Sequence, residues 1–141
     1  MREAFFPYGR IWDVKPENLK YAKTHEWVAV DGDVATMGIS AFAVEALTDL
    51  VFIELPKVGA KVEAEQPFCE VESVKAVSDV YAPVTGEVVA VNTTLPENLE
   101  ILSTDPYEKG WIAKIKITDD ANLSKLLSHA AYEKQCAEEG H

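Results

Sequence analysis

The sequence predicts a mainly β domain, a small barrel or sandwich with accessory helices, and three observations predict it. Short runs with apolar residues at every second position recur along the chain. Gly and Pro turn signals separate these runs at short intervals. Helical periodicity is confined to a short central stretch and the C-terminal segment. A length of 141 residues suits about one domain. With 48% apolar residues the chain has the composition of a folded protein rather than a disordered one. No repeat and no low-complexity tract is visible.

Residues 1–20 read as an extension, broken by Pro7, Gly9 and Pro16. Its aromatic residues Phe5, Phe6, Tyr8 and Trp12 predict that part of it docks on the domain. Its acids Glu3, Asp13 and Glu17 set it apart from a signal or transit peptide. The domain proper is expected over 21–137, with 138–141 as a tail. EWVAV (26–30) is a strand, Asp31-Gly32 a turn, and DVATMG (33–38) the return strand. Ser40 is placed to cap a short helix over AFAVEAL (41–47), with Glu45 near its first turn. VFIEL (51–55) is a strand ended by Pro56 and Gly59. Residues 60–74 and 77–82 are strands around Lys75, and Pro83 and Gly86 mark the next turn. EVVAVN (87–92) alternates again. Residues 93–110 are loop and short helical turns. WIAKIKI (111–117) predicts a strand with Lys114 and Lys116 pointing out. From 119 to 138 the spacing predicts a helix, with Leu123, Leu126, Leu127 and Ala130 on one face and Asp119 or Asp120 as its cap.

Thirteen basic residues face 24 acidic ones, a formal charge of −11. That argues against nucleic acid, whose phosphates need a basic patch, and favours partners with basic surfaces. No apolar run approaches the roughly 18 residues of a membrane span. Cys69 and Cys136 form neither a disulfide framework nor a zinc spacing, which points to a reducing, cytoplasmic setting. His25, His129 and His141 are scattered, and no catalytic triad, phosphate loop or metal cluster is visible, so a self-sufficient enzyme is the least expected reading.

CEVESVKAVSDVYAP (69–83) places one lysine, Lys75, among the acids Glu70, Glu72 and Asp79. A hairpin with a two-residue Lys75-Ala76 loop pairs Cys69 with Ala82, Val71 with Val80 and Ser73 with Ser78 on an inner face. It pairs Glu70 with Tyr81, Glu72 with Asp79 and Val74 with Val77 on an outer one. Two local rules are broken. Lys-Ala lacks the Gly or Asn that such tight turns favour, and Glu72 opposite Asp79 sets like charges across strands. Broken rules of this kind mark functional sites. A lysine at a hairpin tip can serve as a covalent handle, and rigid strands fix where its arm starts. The alternative is a solvated surface charge.

ESVKAVSDVYAPVTGEVVAVN (72–92), together with YAKTHEWV (21–28), GISAFAVEAL (38–47), VFIELPKVG (51–59) and DPYEKGWIAKIK (105–116), closely resembles the glycine cleavage system H protein family. The resemblance runs over residues 20–137. It implies a lipoyl-domain-like barrel-sandwich hybrid with a short internal helix and a C-terminal helix. It implies lipoic acid in amide linkage to the Lys75 side chain, with Glu70, Glu72, Ser73, Val74, Ala76 and Asp79 as the flanking segment that a lipoyl ligase or transferase reads. It further implies a non-catalytic carrier, monomeric and free of membrane. Its arm would take an aminomethyl group from a glycine decarboxylase to an aminomethyltransferase and be reoxidised by dihydrolipoamide dehydrogenase. In the family the loaded arm folds back into a cleft, and the matching positions are Thr24, Glu26 and Asp79. A carboxylate there would hold the ammonium by a charge-assisted hydrogen bond. The alternatives are an ordinary exposed strand residue for Glu26 and a structural role for His25.

Biotin carrier domains fit less well, since Val74 and Ala76 flank the lysine where those domains carry methionine. Lipoyl domains of 2-oxo-acid dehydrogenases lack the GWIAKIK strand and the helical tail. The chain departs from the H-protein pattern at Thr48, where glycine is usual, at Val44, where glutamine is usual, and over Ile101-Leu102-Ser103, where Leu-Ile-Asn is usual. Those departures leave room for an H-like lipoyl carrier in sulfur-compound oxidation with a heterodisulfide-reductase-like complex. An unmodified structural or regulatory domain is a further alternative. In DPYEKGW, Tyr107 and Trp111 are expected to anchor the loop to the core rather than to contact a partner.

Overall fold

The structure, a computed structural model, describes residues 16–139 and the backbone of a short hairpin between Ala4–Phe6 (β1) and Gly9–Ile11 (β2). The expected docking of the aromatic extension lies outside the residues whose side chains are described. The fold is mainly β, as expected. Lys20–Tyr21 (β3), Glu26–Asp31 (β4) and Val34–Ile39 (β5) come first, followed by helix Ala41–Leu47 (α1). Strands Leu50–Glu54 (β6), Lys61–Val62 (β7), Pro67–Ser73 (β8), Val77–Tyr81 (β9) and Thr85–Val91 (β10) come next. Helix Glu100–Thr104 (α2), strand Ala113–Asp119 (β11) and helix His129–Glu139 (α3) complete the chain. One antiparallel sheet has the order β3-β4-β5-β11-β10-β7 and the other β6-β8-β9. Their inner faces meet in one core that contains Val28, Met37, Ile53, Val71, Val80, Val88 and Ile115. Every second residue of β8 from Cys69 to Ser73 is buried, the alternation that a half-buried strand requires.

Ser40 caps α1 as expected, its Oγ accepting the Ala43 N–H at 3.2 Å. Glu45, expected near the first turn, lies beyond it. A smaller cluster of Leu19, Tyr21, Trp27 and Tyr132 sits where α3 packs on β3 and β4.

Lys116 is exposed as expected, but Lys114 is buried, 4% accessible. Its strand lies between β5 and β10, and the Trp111 ring lies beside its amine, 5.1 Å from centroid to Nζ. The amine donates to Thr36 Oγ1 at 3.0 Å, and burial pulls its pKa down. Alternation marks a face, but it does not show what covers that face.

The continuous helix expected from 119 to 138 is broken. A 3₁₀ turn spans Ala121–Lys125, with Asp119 Oδ1 accepting the Ala121 N–H at 3.0 Å, whereas Asp120 makes no side-chain cap. Leu126 is extended, and Leu127 exchanges two backbone hydrogen bonds with Tyr21, at 2.8 and 2.6 Å. Leu123 and Leu126 therefore reach the main core and Leu127 the smaller cluster, through a bridge rather than a helix face. Ala130 is exposed, and Tyr132 is the buried residue of α3.

Candidate functional site

The β8–β9 hairpin carries Lys75. Its register pairs Cys69 with Val80, Glu70 with Asp79, Val71 with Ser78 and Glu72 with Val77. The expected pairs Cys69–Ala82, Val71–Val80, Ser73–Ser78, Glu70–Tyr81, Glu72–Asp79 and Val74–Val77 are thus displaced by two residues, and the loop is Ser73–Ala76 rather than Lys75-Ala76. An even displacement keeps every side chain on its expected face. Cys69, Val71, Ser73 and Val80 are buried, while Glu70 and Glu72 are half-buried and Asp79 is exposed.

Ser73 explains the longer loop. Its N–H donates to the Ala76 carbonyl at 2.8 Å. Its Oγ accepts from the N–H of Lys75 at 3.3 Å and of Ala76 at 3.2 Å. The hydroxyl stands in for a backbone carbonyl, so the turn needs no glycine. Val74 N–H donates to Asp49 O at 3.0 Å, which ties the loop to the segment before β6. Lys75 is exposed, between Val74 at 68% and Val77 at 60% accessibility. Like charges do face each other, though not in the expected pair: Glu54, Glu70 and Asp79 form one row across the sheet.

The structure brings Thr24, Glu26 and Asp79 together. They line one cleft of about 220 Å³ with His25, Phe42, Leu47, Val71, Ser78 and Glu139. The walls come from the turn before β4, from α1, from the β8–β9 sheet and from the end of α3. Glu26 is not an exposed strand residue; it is 1% accessible. Its Oε2 accepts the Tyr81 N–H at 2.9 Å, and its Oε1 accepts from the Thr24 hydroxyl. Burial pushes its carboxyl up to about 7, against the pull of those two donors.

His25 links the cleft to α3. Its backbone is left-handed, with φ 84°, held by N–H donation to Ala22 O and by acceptance from Ser40 N–H. Its Nδ1 lies 2.7 Å from the Tyr132 hydroxyl and its Nε2 3.0 Å from Glu139 Oε1. The ring stacks on Phe42 at 5.1 Å. Sequence reasoning missed Phe42, Tyr132 and Glu139. Nothing local marks them, because His25 and Tyr132 are 107 positions apart. Ser40 was legible as a cap, but its second contact, with the Tyr132 hydroxyl at 2.5 Å, was not.

The DPYEKGW segment is an anchor. Trp27 Nε1 donates to Pro106 O at 2.9 Å, and the Tyr107 hydroxyl accepts the N–H of Ala41 at 3.0 Å, fixing the start of α1. Asn92 Nδ2 donates to the carbonyls of Lys109 and Trp111, and Trp111 packs on the smaller cluster. The departures Val44, Thr48 and Ser103 meet in a second pocket of about 240 Å³, beside Asp49. Thr48 adopts φ 60°, ψ −145°, a region that is essentially glycine-only.

Among the described residues no group of three or more His, Cys, Asp or Glu is placed to hold a metal ion, and no helix is long and apolar enough to cross a membrane.

The family model for the glycine cleavage H-protein matches residues 19–139. A relative from Rhodopirellula baltica named glycine cleavage system H protein is 56% identical over 129 residues, 89% of this chain and 97% of the relative. Another of that name from Carboxydothermus hydrogenoformans is 50% identical over 127 residues, 90% of this chain and 98% of the relative. A crystal structure of a glycine cleavage system H protein from Mycobacterium marinum superposes with a TM-score of 0.79 at 39% identity, covering 86% of this chain and 98% of that one.

Proposed function

The chain belongs to the glycine cleavage H-protein family, and on that premise we propose that it is a lipoyl carrier of the glycine cleavage system whose group is held on Lys75. One observation carries the reading. Strand β9 is both the return strand of the Lys75 hairpin and a wall of the cleft, through Ser78, Asp79 and Val80. A tethered arm therefore starts and rests on the same small sheet.

The residues present fit a lipoyl group. Lys75 offers an exposed amine on a loop fixed by Ser73. The cleft offers an apolar lining (Phe42, Leu47, Val71, Val80) together with the carboxylates of Glu26, Asp79 and Glu139. A lipoyl group held on Lys75 would supply, in its reduced form, a thiol able to bear an aminomethyl group. Thr24, Glu26 and Asp79 receive the cationic end of that cargo. A cation beside Glu26 favours the ionised carboxylate and pulls its raised pKa back down.

Glu70, Glu72, Ser73, Val74, Ala76 and Asp79 form the flanking segment that a lipoyl ligase or transferase reads around Lys75, with Ser73 buried and shaping the loop from within. The partners in turnover are glycine decarboxylase, the aminomethyltransferase and dihydrolipoamide dehydrogenase, and the chain itself performs no catalytic step. Free Cys69 and Cys136 suit a reducing cytoplasm. Nothing in the cleft favours the sulfur-oxidation alternative or an unmodified structural domain.

The test is to lipoylate and reduce the purified chain, add glycine and a glycine decarboxylase, and weigh the Lys75 peptide. A lipoyl increment plus an aminomethyl increment is expected. A peptide that never takes up lipoyl would overturn the assignment of Lys75. Lipoylation without loading, beside an authentic H protein that does load, would overturn the assignment of the cargo.

A further inference from the structure

Helix α3 reaches the cleft through Glu139. That carboxylate is fixed twice: Oε1 lies 3.0 Å from His25 Nε2, and Oε2 accepts from Gln135 Nε2 at 2.7 Å. Gln135 is itself tied down, because its Nε2 also donates to Lys23 O at 2.8 Å. The other end of the chain of contacts is buried. Because a carboxylate can only accept, Nε2 of His25 carries the hydrogen, and in the neutral ring Nδ1 accepts from the Tyr132 hydroxyl. The Tyr132 oxygen is within 2.5 Å of Ser40 Oγ, the cap of α1. His25 is thus oriented by groups from α1 and α3 together, with Phe42 stacked against its ring. Its Nε2 holds Glu139.

The charge around the cleft has a consistent sign. Glu26, Asp79 and Glu139 line it, and among the described residues no lysine or arginine does. The base that lines it, His25, is already engaged with Glu139.

We propose that Glu139 is a third cargo-facing carboxylate of this cleft and that His25 is its positioning residue, so that the C-terminal helix helps to select a cationic head group over a neutral one. The proposal rests on reading the cleft as the seat of the cargo, but not on which lysine bears the arm.

The experiment uses the unmodified full-length chain, labelled with ¹⁵N and titrated with n-hexylammonium and, separately, with 1-hexanol, which has the same stem without the charge. The reporter is the Tyr81 amide, which donates to Glu26. Wild-type protein should bind hexylammonium more tightly than hexanol. Glu139→Gln should weaken hexylammonium binding by about threefold, the worth of one partly exposed charge pair, and leave hexanol unchanged. His25→Gln should reproduce that selective loss, and Glu139→Asp should restore part of it. A merely structural Glu139 would move both probes together. That result, or equal hexylammonium affinity in wild type and Glu139→Gln, or no preference for the cation in wild type, would overturn the proposal. Failure of the carrier reading shows separately, as a Lys75 peptide without lipoyl mass, and leaves these affinities untouched.

Discussion

The hairpin tip and the cleft share strand β9, yet they are built on opposite principles. The tip is a run of four consecutive residues, Ser73–Ala76, whose conformation is set within the run by one serine hydroxyl and by a single backbone tie to Asp49. Ser73 anchors it from the buried face, while Val74, Lys75 and Ala76 are exposed, so substitutions at those three positions are expected to cost little stability. The cleft gathers Thr24, His25, Glu26, Phe42, Asp79 and Glu139 from distant parts of the chain and buries a carboxylate inside it. An arm needs reach, and reach needs exposure. Holding a charged cargo needs a low-dielectric seat with fixed donors and acceptors, and such a seat disfavours charge until the cargo arrives.

The contrast can be sharpened or broken by measurement, beginning with the largest effect. Lys75→Arg should abolish lipoylation entirely, read as mass, while unfolding free energy changes by less than about 0.5 kcal/mol, as for an exposed side chain. A variant that unfolds early would show that the tip does carry stability.

Glu26 should show the opposite profile. Burial pushes its carboxyl from the ordinary 4.5 up to about 7. Between those values the folded state keeps a proton that the unfolded state releases. The group's contribution is therefore fully present below pH 4.5 and is lost as pH rises to 7, on the order of 3 kcal/mol. Glu26→Gln cannot ionise, so its urea stability should lack that decline between pH 5 and 7.5. Parallel profiles for wild type and variant would mean that the buried charge costs nothing, and the contrast with the tip would fall.

A smaller effect is expected at Thr48, which holds a glycine-only conformation at the end of α1. Thr48→Gly should stabilise the protein by roughly 1 kcal/mol in thermal unfolding; a loss of stability would show that the threonine side chain repays its backbone. Smallest of all, Val77→Thr at the base of the tip should shift stability by less than about 0.5 kcal/mol in the same assay. A larger loss would place this exposed valine in the packing of the sheet.

Much of the fold was legible in local pattern. The alternation of CEVES and VSDVY identified inner and outer faces correctly although the register was displaced by two residues. Side-chain direction has period two, so registers that differ by two predict the same faces. The side chain that sets the register, Ser73, acts through bonds to the backbone, which period does not record. Ser40 was readable as a cap because capping is local. Lys114 was not readable as buried, because Trp111 covers it only after β11 has paired with β5. The leucines of 123–127 keep helical spacing, yet the Tyr21 bridge holds Leu127 in the chain's extended course. A backbone partner from the other end of the chain outcompeted local periodicity.

An acidic β domain, the inward and outward faces of its strands, and a lysine at the tip of a hairpin follow from residue order alone. These depend on residue type and on neighbours within a few positions. The burial of Glu26, the sharing of its cleft by Asp79 and Glu139, and the link that His25 makes between α1 and α3 come from the folded arrangement. Burial and electrostatic environment belong to whatever surrounds a side chain, and here the surroundings come from segments that meet only when the two sheets close and α3 docks on β3 and β4.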